Sequence, residues 1–164
     1  HYQYRTARST YRQYIKLGIS ADTDKQIIMK QAIHKGPRND QKDFMPLVRG
    51  IKTNFVCADK GYDANKHHEF VERELNAKSC IKIKEKVLST KSRATLRKRI
   101  LKEFDDKIYH QRSKVESIFS SIKRKYGSYL KARSFSTQKK EVICKLVAYN
   151  LDRIIKFLLR FQQS

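Results

Sequence analysis

The chain has no tryptophan, two prolines, five glycines and three cysteines, and only 16 of its 164 residues are acidic. Each scarcity argues against a class of protein. Cys57, Cys80 and Cys144 are isolated, odd in number and form no C-x-x-C pair. That speaks against a disulfide framework and a cysteine-built zinc site, and it fits a reducing cytoplasm. No run is long and apolar enough to span a bilayer, and no signal peptide opens the chain. It begins at His1 and not at Met, which leads us to expect a fragment lacking its amino-terminal part. There is no internal repeat and no low-complexity linker. A chain of 164 residues fits a single domain, 1–164, with a core of its own.

What the chain has in excess is positive charge. Lys plus Arg number 38, so the formal net charge is +22. The excess is spread along the whole sequence, which assigns it to a folded surface and not to a tail. Nucleic acid is the partner such a surface suits, because neutralised phosphates release counterions and supply affinity without sequence preference. Ribosomal and membrane-surface proteins are the other classes that carry such charge.

Strand signals come first. Tyr14 to Ala21 alternates apolar and polar residues, Asp22-Thr23-Asp24-Lys25 interrupts, and Gln26 to Ile33 resumes, a hairpin pattern. Gly36 to Asp40 reads as a loop, and Gln41 to Gly50 as a short helix capped by Asp40. Asn54 to Asp59 suits a buried strand, Ala64 to Leu75 a helix capped by Asp63, and Ser79 to Lys84 another strand. Val87 to Lys107 is very basic and partly helical, with Lys91, Arg93, Arg97, Lys98, Arg99 and Lys102. Helices are expected over Tyr109–Tyr126 and Gln138–Phe161. Strands, then a βαβ-like middle, then helices make a mixed α/β domain.

The chemistry concentrates in Y-H-Q-R-S-K-V-E-S-I-F-S-S-I-K, from Tyr109 to Lys123. At about 100° per residue, Tyr109, Arg112, Glu116 and Lys123 share a helical stripe roughly 60° wide, beside an apolar one formed by Val115, Phe119, Ile122 and Tyr126. An Arg112–Glu116 pair at i,i+4 is by itself only a weak surface ion pair. Flanked by Arg112 and Lys123, however, Glu116 would be kept ionised, which suits a magnesium ligand. Arg112 and Lys123 could hold a phosphate backbone, and Tyr109 could stack on or hydrogen-bond a nucleotide. Asp59 ends the expected buried strand, ahead of Gly61 and Tyr62. Ligands gather at such strand ends, although aspartate is also common where a turn begins.

D-K-G-Y (Asp59 to Tyr62), with Tyr109, Arg112, Glu116 and Lys123 at their two-three-six spacing, resembles the DDE transposases of prokaryotic insertion sequences, in the branch named for its Tyr-Arg-Glu-Lys signature. H-K-G-P-R-N-D-Q-K-D-F, F-S-S-I-K-R-K-Y-G and R-S-F…A-Y-N-L resemble further segments of that family, so the likeness covers nearly the whole chain. The resemblance implies a ribonuclease-H-like α/β fold: a central mixed sheet flanked by helices, here lacking its first strand. It implies three acids holding two Mg²⁺ or Mn²⁺ ions, with Asp59 second and Glu116 third. Tyr109, Arg112, Lys123 and Arg124 are then the nucleic-acid-binding residues. The first acid belongs on a strand upstream of His1 to Tyr14. Asp22 and Asp24 fit turn chemistry, and Asp40 and Asp43 fit helix starts, so none of the four replaces it.

Three readings follow. The first is a nucleoid-associated transposase acting on double-stranded DNA in the cytoplasm, as a homodimer on its DNA. The second is a DNA-binding remnant without activity. The third is a basic RNA-binding protein without a metal site, which requires the carboxylates of Asp59 and Glu116 to lie on separate faces. His67 and His68 are adjacent on a helix and point apart, a poor start for a zinc site. Val147, Asn150, Ile154, Phe157 and Phe161 repeat at heptad-like steps that suit a partner seam, and packing on the chain's own sheet is the reading preferred for them.

Overall fold

Two compact units make up the chain: residues 1–39 with 114–164, and residues 40–113. This computed structural model describes residues 2–6, 14–84 and 95–162.

In the first unit, β1 (Tyr2–Thr6), β2 (Tyr14–Ala21) and β3 (Ile28–Lys35) form an antiparallel meander. A short β6 (Tyr129–Leu130) adds to β1 in parallel, giving the order β3-β2-β1-β6. The expected hairpin is therefore present, with its second strand two residues later than expected. A strand also precedes it where the sequence pattern suggested none, so the sheet gains a first strand, Y-Q-Y-R-T, that carries no acid. Pairing with β2 supplies what the short pattern lacks. Asp22 makes the turn: its Oδ1 accepts from the backbone N–H of Asp24 at 2.8 Å and of Lys25 at 2.9 Å.

Two helices cover this sheet, α5 (Ser113–Tyr126) and α6 (Phe135–Phe161). Ile118, Phe119 and Ile122 of α5, and Val142, Leu146 and Tyr149 of α6, fall at three- and four-residue steps and bury against Ile15, Leu17, Ile28 and Ile33. Covering each such side chain stabilises the unit by about 1.5–3 kcal/mol. Ser134 caps α6, accepting from Thr137 N–H at 3.2 Å.

The second unit is built on a parallel pair, β4 (Phe55–Ala58) and β5 (Lys78–Ile81), joined through α2 (Asn65–Arg73). A short α1 (Phe44–Val48) precedes β4, and Phe44, Val48, Val56, Val71, Ala77 and Ile81 form the core. Cys57 and Cys80, remote in sequence, are register partners across β4 and β5, and both are free. Later come α3 (Thr95–Lys102) and α4 (Asp106–His110). The early part of the basic stretch, 87–94, lies outside the described residues.

Three local expectations are corrected. Asp40 opens a 3-10 turn and does not cap α1, whose N-cap position holds Asp43 without a side-chain cap bond. Asp63 does not cap α2; Ala64 holds that position, and Asp63 is drawn inward instead. The helix expected over Tyr109–Tyr126 is broken at Gln111–Arg112 into α4 and α5. The break has two causes in the sequence. Asp105 starts a helix early, accepting from Lys107 N–H at 2.9 Å and Ile108 N–H at 3.2 Å. Ser113 Oγ then donates to the carbonyl of His110 at 2.8 Å, taking up an end group of α4 as the next helix begins.

Candidate active-site residues

Asp59 stands at the carboxyl end of β4 and opens a 3-10 turn, Lys60–Tyr62. Its side chain accepts from Lys60 N–H at 2.8 Å and is otherwise turned to solvent. The turn beneath it is pinned at several points. Gln41 Nε2 donates to the carbonyl of Gly61 at 3.2 Å, and His67 Nδ1 contacts the carbonyl of Tyr62 at 2.7 Å. Phe44 stacks on His67 with centroids 4.4 Å apart and packs against Tyr62 at 5.5 Å. Burial first, and then the nearby negative charges of Asp43 and Asp59, push the Tyr62 phenol well above its ordinary pKa. A mobile turn would place a carboxylate loosely; this one is held from below by a packed aromatic set.

Four residues on, Asp63 is buried, with its side chain fully inaccessible. Its Oδ2 accepts from Lys84 N–H at 2.8 Å, and its Oδ1 lies 3.1 Å from His68 Nε2. Arg97 Nε comes within 3.3 Å of the same oxygen as an ion pair, without the alignment of a hydrogen bond. His68 Nδ1 meets Ser79 Oγ at 2.8 Å. Beside an ionised Asp63, Nε2 carries the proton of a neutral imidazole, and Nδ1 accepts from the serine hydroxyl. Burial holds His68 below its ordinary pKa, against the upward pull of Asp63. The network ties the turn, α2, the exit of β5 and α3 together. Nothing in the sequence pattern announced it, because a capping aspartate and a buried one look alike in a string.

Tyr109 and Arg112 are brought together, but not on one continuous helix. Tyr109 is 8% exposed, and the guanidinium of Arg112 lies 5.4 Å from its ring centroid, with Lys82 Nζ at 5.7 Å. The ring therefore serves as a platform for cations, and the stripe drawn through Tyr109 does not continue into α5. Arg112 lies in the turn before α5.

Glu116 and Lys123 do share a face of α5. They are seven residues apart, which is two turns and about 10 Å of axis. Both are exposed, as is Arg124 next to Lys123. The buried residues Ile118, Phe119 and Ile122 form the adjoining stripe, with Phe119 next to Glu116 and Lys123. Exposed serines, Ser113, Ser117 and Ser120, surround Glu116 and leave its surroundings low and polar. That small-residue margin was missed from sequence, where attention fell on the charges.

Asp59 and the Tyr109–Arg112 pair belong to the second unit, and Glu116, Lys123 and Arg124 to the first. Asp22 and Asp24 stand in the hairpin turn, Asp40 at a 3-10 start and Asp43 at the start of α1. Among the described residues no group of three His, Cys, Asp or Glu side chains could hold a metal ion. The chemistry of the two exposed carboxylates, Asp59 and Glu116, nevertheless suits a hard divalent cation, which prefers oxygen donors. Among the described residues, no helix is long and apolar enough to cross a membrane.

No curated protein and no solved structure matches the chain. One family description does: the transposase DDE domain matches residues 1–151, taking in the β4 turn with Asp59, the whole of α5 with Glu116, and most of α6. With more than nine-tenths of its length matched, the chain belongs to the transposase DDE domain family.

Proposed function

We propose that this chain is the catalytic domain of an insertion-sequence transposase of the Tyr-Arg-Glu-Lys branch. It hydrolyses a phosphodiester at the transposon end, and the freed 3′-hydroxyl then attacks a target phosphodiester, forming a new P–O bond as the target strand's own 3′-oxygen leaves. The observation that carries the reading is Asp59, a solvent-facing carboxylate on a pinned turn at the end of a parallel strand, within the family match. A ribonuclease-H-like sheet is the fold we propose; antiparallel strands in one unit and a parallel pair in the other support it.

In this reading Asp59 and Glu116 are two of the acids that would hold Mg²⁺ or Mn²⁺. Such ions, when bound, stabilise charge on the attacking and leaving oxygens. The chain's own side chains do the rest. Lys123 and Arg124 neutralise backbone phosphates along α5, and the serines beside Glu116 let the strand approach. Tyr109 holds the Arg112 guanidinium ready for a further phosphate. Double-stranded DNA is the substrate, met as a dimer in the nucleoid.

The test uses the complete protein on DNA that carries the element's ends, with Mg²⁺ or Mn²⁺. Asp59→Asn and Glu116→Gln should each abolish nicking while DNA binding persists. Undiminished nicking by both variants would sink the assignment. A second reading, an inactive DNA-binding remnant, is favoured by one observation: Asp22 is taken up by its own hairpin turn, accepting two backbone N–H groups there, and Asp24 stands in the same turn. It predicts salt-dependent DNA binding with no metal-dependent nicking by the complete protein.

A further inference from the structure

Two features of the molecule have no part in the catalytic reading. One is the outer face of α6. The sequence pattern favoured packing of its late heptad positions on the chain's own sheet, but only Asn150 is so used. It bonds both backbone groups of Ile28 at 2.9 Å, while Val147 and Ile154 face outward. Nothing in the structure shows what covers that face. The other feature is a pair of thiols within the second unit, beneath the strand end that carries Asp59.

Cys57 on β4 and Cys80 on β5 are register partners in a parallel pair. Register partners point to one face of their sheet, and neighbouring strands lie about 4.7–4.9 Å apart. That spacing is within the Cα···Cα range a disulfide spans, about 4.4–6.8 Å. The two thiols also share a hydrogen bond. It holds Cys57 above its ordinary pKa, with burial adding to the effect, and it holds Cys80 below, against that residue's own burial. The shared proton therefore stays on Cys57, and Cys80 has the thiolate character on which oxidation depends.

α4 packs over the two strands at this point. Cys57 Sγ donates to the carbonyl of Ile108 at 3.1 Å. The single Cys57 proton thus has two acceptors, the Cys80 sulfur and the Ile108 carbonyl. The residue after Ile108 is Tyr109, whose ring faces Arg112 and Lys82. What happens to that proton therefore reaches the helix that carries the platform.

We propose that Cys57 and Cys80 are a reversible thiol–disulfide site, closed by peroxide and reopened by thiols, and that closing it releases α4 from β4. Cys80 is fully buried and Cys57 half-buried, so a small oxidant meets the pair from the Cys57 side. The Cys80 sulfur attacks one peroxide oxygen. An S–O bond forms as the O–O bond breaks, and the departing hydroxide takes a proton to become water. Cys57 then attacks the sulfur of this sulfenic acid, its proton leaves with the hydroxyl as a second water, and the S–S bond closes. Two electrons pass from the sulfurs to the peroxide. The bond consumes the proton that Cys57 lent to Ile108 and draws the sulfurs to about 2.05 Å of each other. With α4 released, a reducing thiol can reach the disulfide and reverse it by exchange. Neither Asp59 nor DNA enters this chemistry, so it stands or falls apart from the catalytic reading.

The test uses the full chain with the exposed Cys144 replaced, Cys144→Ser, which leaves Cys57 and Cys80 as its only thiols, and hydrogen peroxide as the probe. Peroxide should lower the intact mass by about 2 Da, abolish both titratable thiols, and yield a peptide joining 57 to 80 in the absence of reductant. Dithiothreitol should restore both thiols. The amides of Tyr109, Gln111 and Arg112, which close the turns of α4 and its exit, should exchange at least about threefold faster in the oxidised chain and slow again on reduction. Cys57→Ser and Cys80→Ser should each show neither the mass loss nor the faster exchange. Peroxide that adds about 16 or 32 Da without a 57–80 link would overturn the site, as would a link that forms only in denaturant. A link that leaves exchange at 109–112 unchanged would overturn the release of α4.

Discussion

Asp59 and Asp63 stand four residues apart on one turn and are put to opposite uses. The first is exposed and holds a single backbone N–H of its own turn. The second is buried and accepts or faces groups from α2, from the exit of β5 and from α3. The chemistry of the two side chains is identical, so their surroundings decide the role. A carboxylate left in water keeps its oxygens available to a ligand. One that is desolvated is committed to the cations and N–H groups that compensate its burial. The buried one also fixes the turn on which the exposed one stands.

The largest expected effects test that division of labour directly. Asp59→Ala should lower metal-dependent nicking by the complete protein by at least about 10³-fold, some 4 kcal/mol of transition-state stabilisation. Its cost in stability should be only that of a lost turn bond, about 0.5–1.5 kcal/mol by denaturant unfolding. Asp63→Ala should do the reverse in stability. It leaves Arg97 and the Lys84 N–H without their buried acceptor, and breaking such a pair costs about 3–5 kcal/mol. If Asp63→Ala unfolds at the same denaturant concentration as the parent, the comparison fails.

How much of this was legible beforehand can be judged from the same turn. The strand ahead of Asp59 and the helix behind it were readable, because a short apolar run and a 3.6-residue period survive in a string. The functional candidacy of Asp59 came from its place at the end of that strand, that of Glu116 from its basic neighbours on a helical stripe, and the spacing of both from the family resemblance. The burial of Asp63 was not readable, since its partners come from 84 and 97, well along the chain, and a cap would look the same. The break between α4 and α5 was written locally, in Asp105 and Ser113, but the stronger periodicity of the Tyr109–Lys123 stripe concealed it. The strand Tyr2–Thr6 exists by pairing with β2, which no pattern within five residues can announce.

Acid should sharpen the contrast more gently. Burial holds His67 and His68 below their ordinary pKa, with Asp63 pulling His68 the other way. The unfolded chain therefore binds protons at pH values where the folded chain does not. The stability these neutral histidines contribute is fully present above about pH 6.5, the unfolded value. It is lost as pH falls below that value. A fall in Tm between pH 7 and pH 5 is expected, measured by thermal unfolding at the two pH values. Asp63→Asn should steepen it, because the group that favours the protonated imidazole is gone. A slope unchanged in that variant would mean that Asp63 and His68 are not coupled.

The smallest effects concern a ring that is buried like Asp63 but serves an accessible cation, as the turn serves Asp59. Tyr109 contributes a face to Arg112 and Lys82, and its packing against Phe104, at 5.3 Å between centroids, fixes that face in place. If the face is what matters, Tyr109→Phe should leave DNA affinity within about twofold of the parent, since a phenyl ring holds a guanidinium by the same quadrupole. Tyr109→Leu should weaken binding a few-fold, the size of an exposed cation–π contact of about 0.5–1 kcal/mol. Arg112→Ala should weaken it by a similar factor and lower the salt dependence by about one phosphate contact. Because the two residues act as one device, combining Tyr109→Leu with Arg112→Ala should cost little more than Arg112→Ala alone. Additive losses in that cycle would show that the ring meets DNA by itself, and that the platform under Arg112 is incidental.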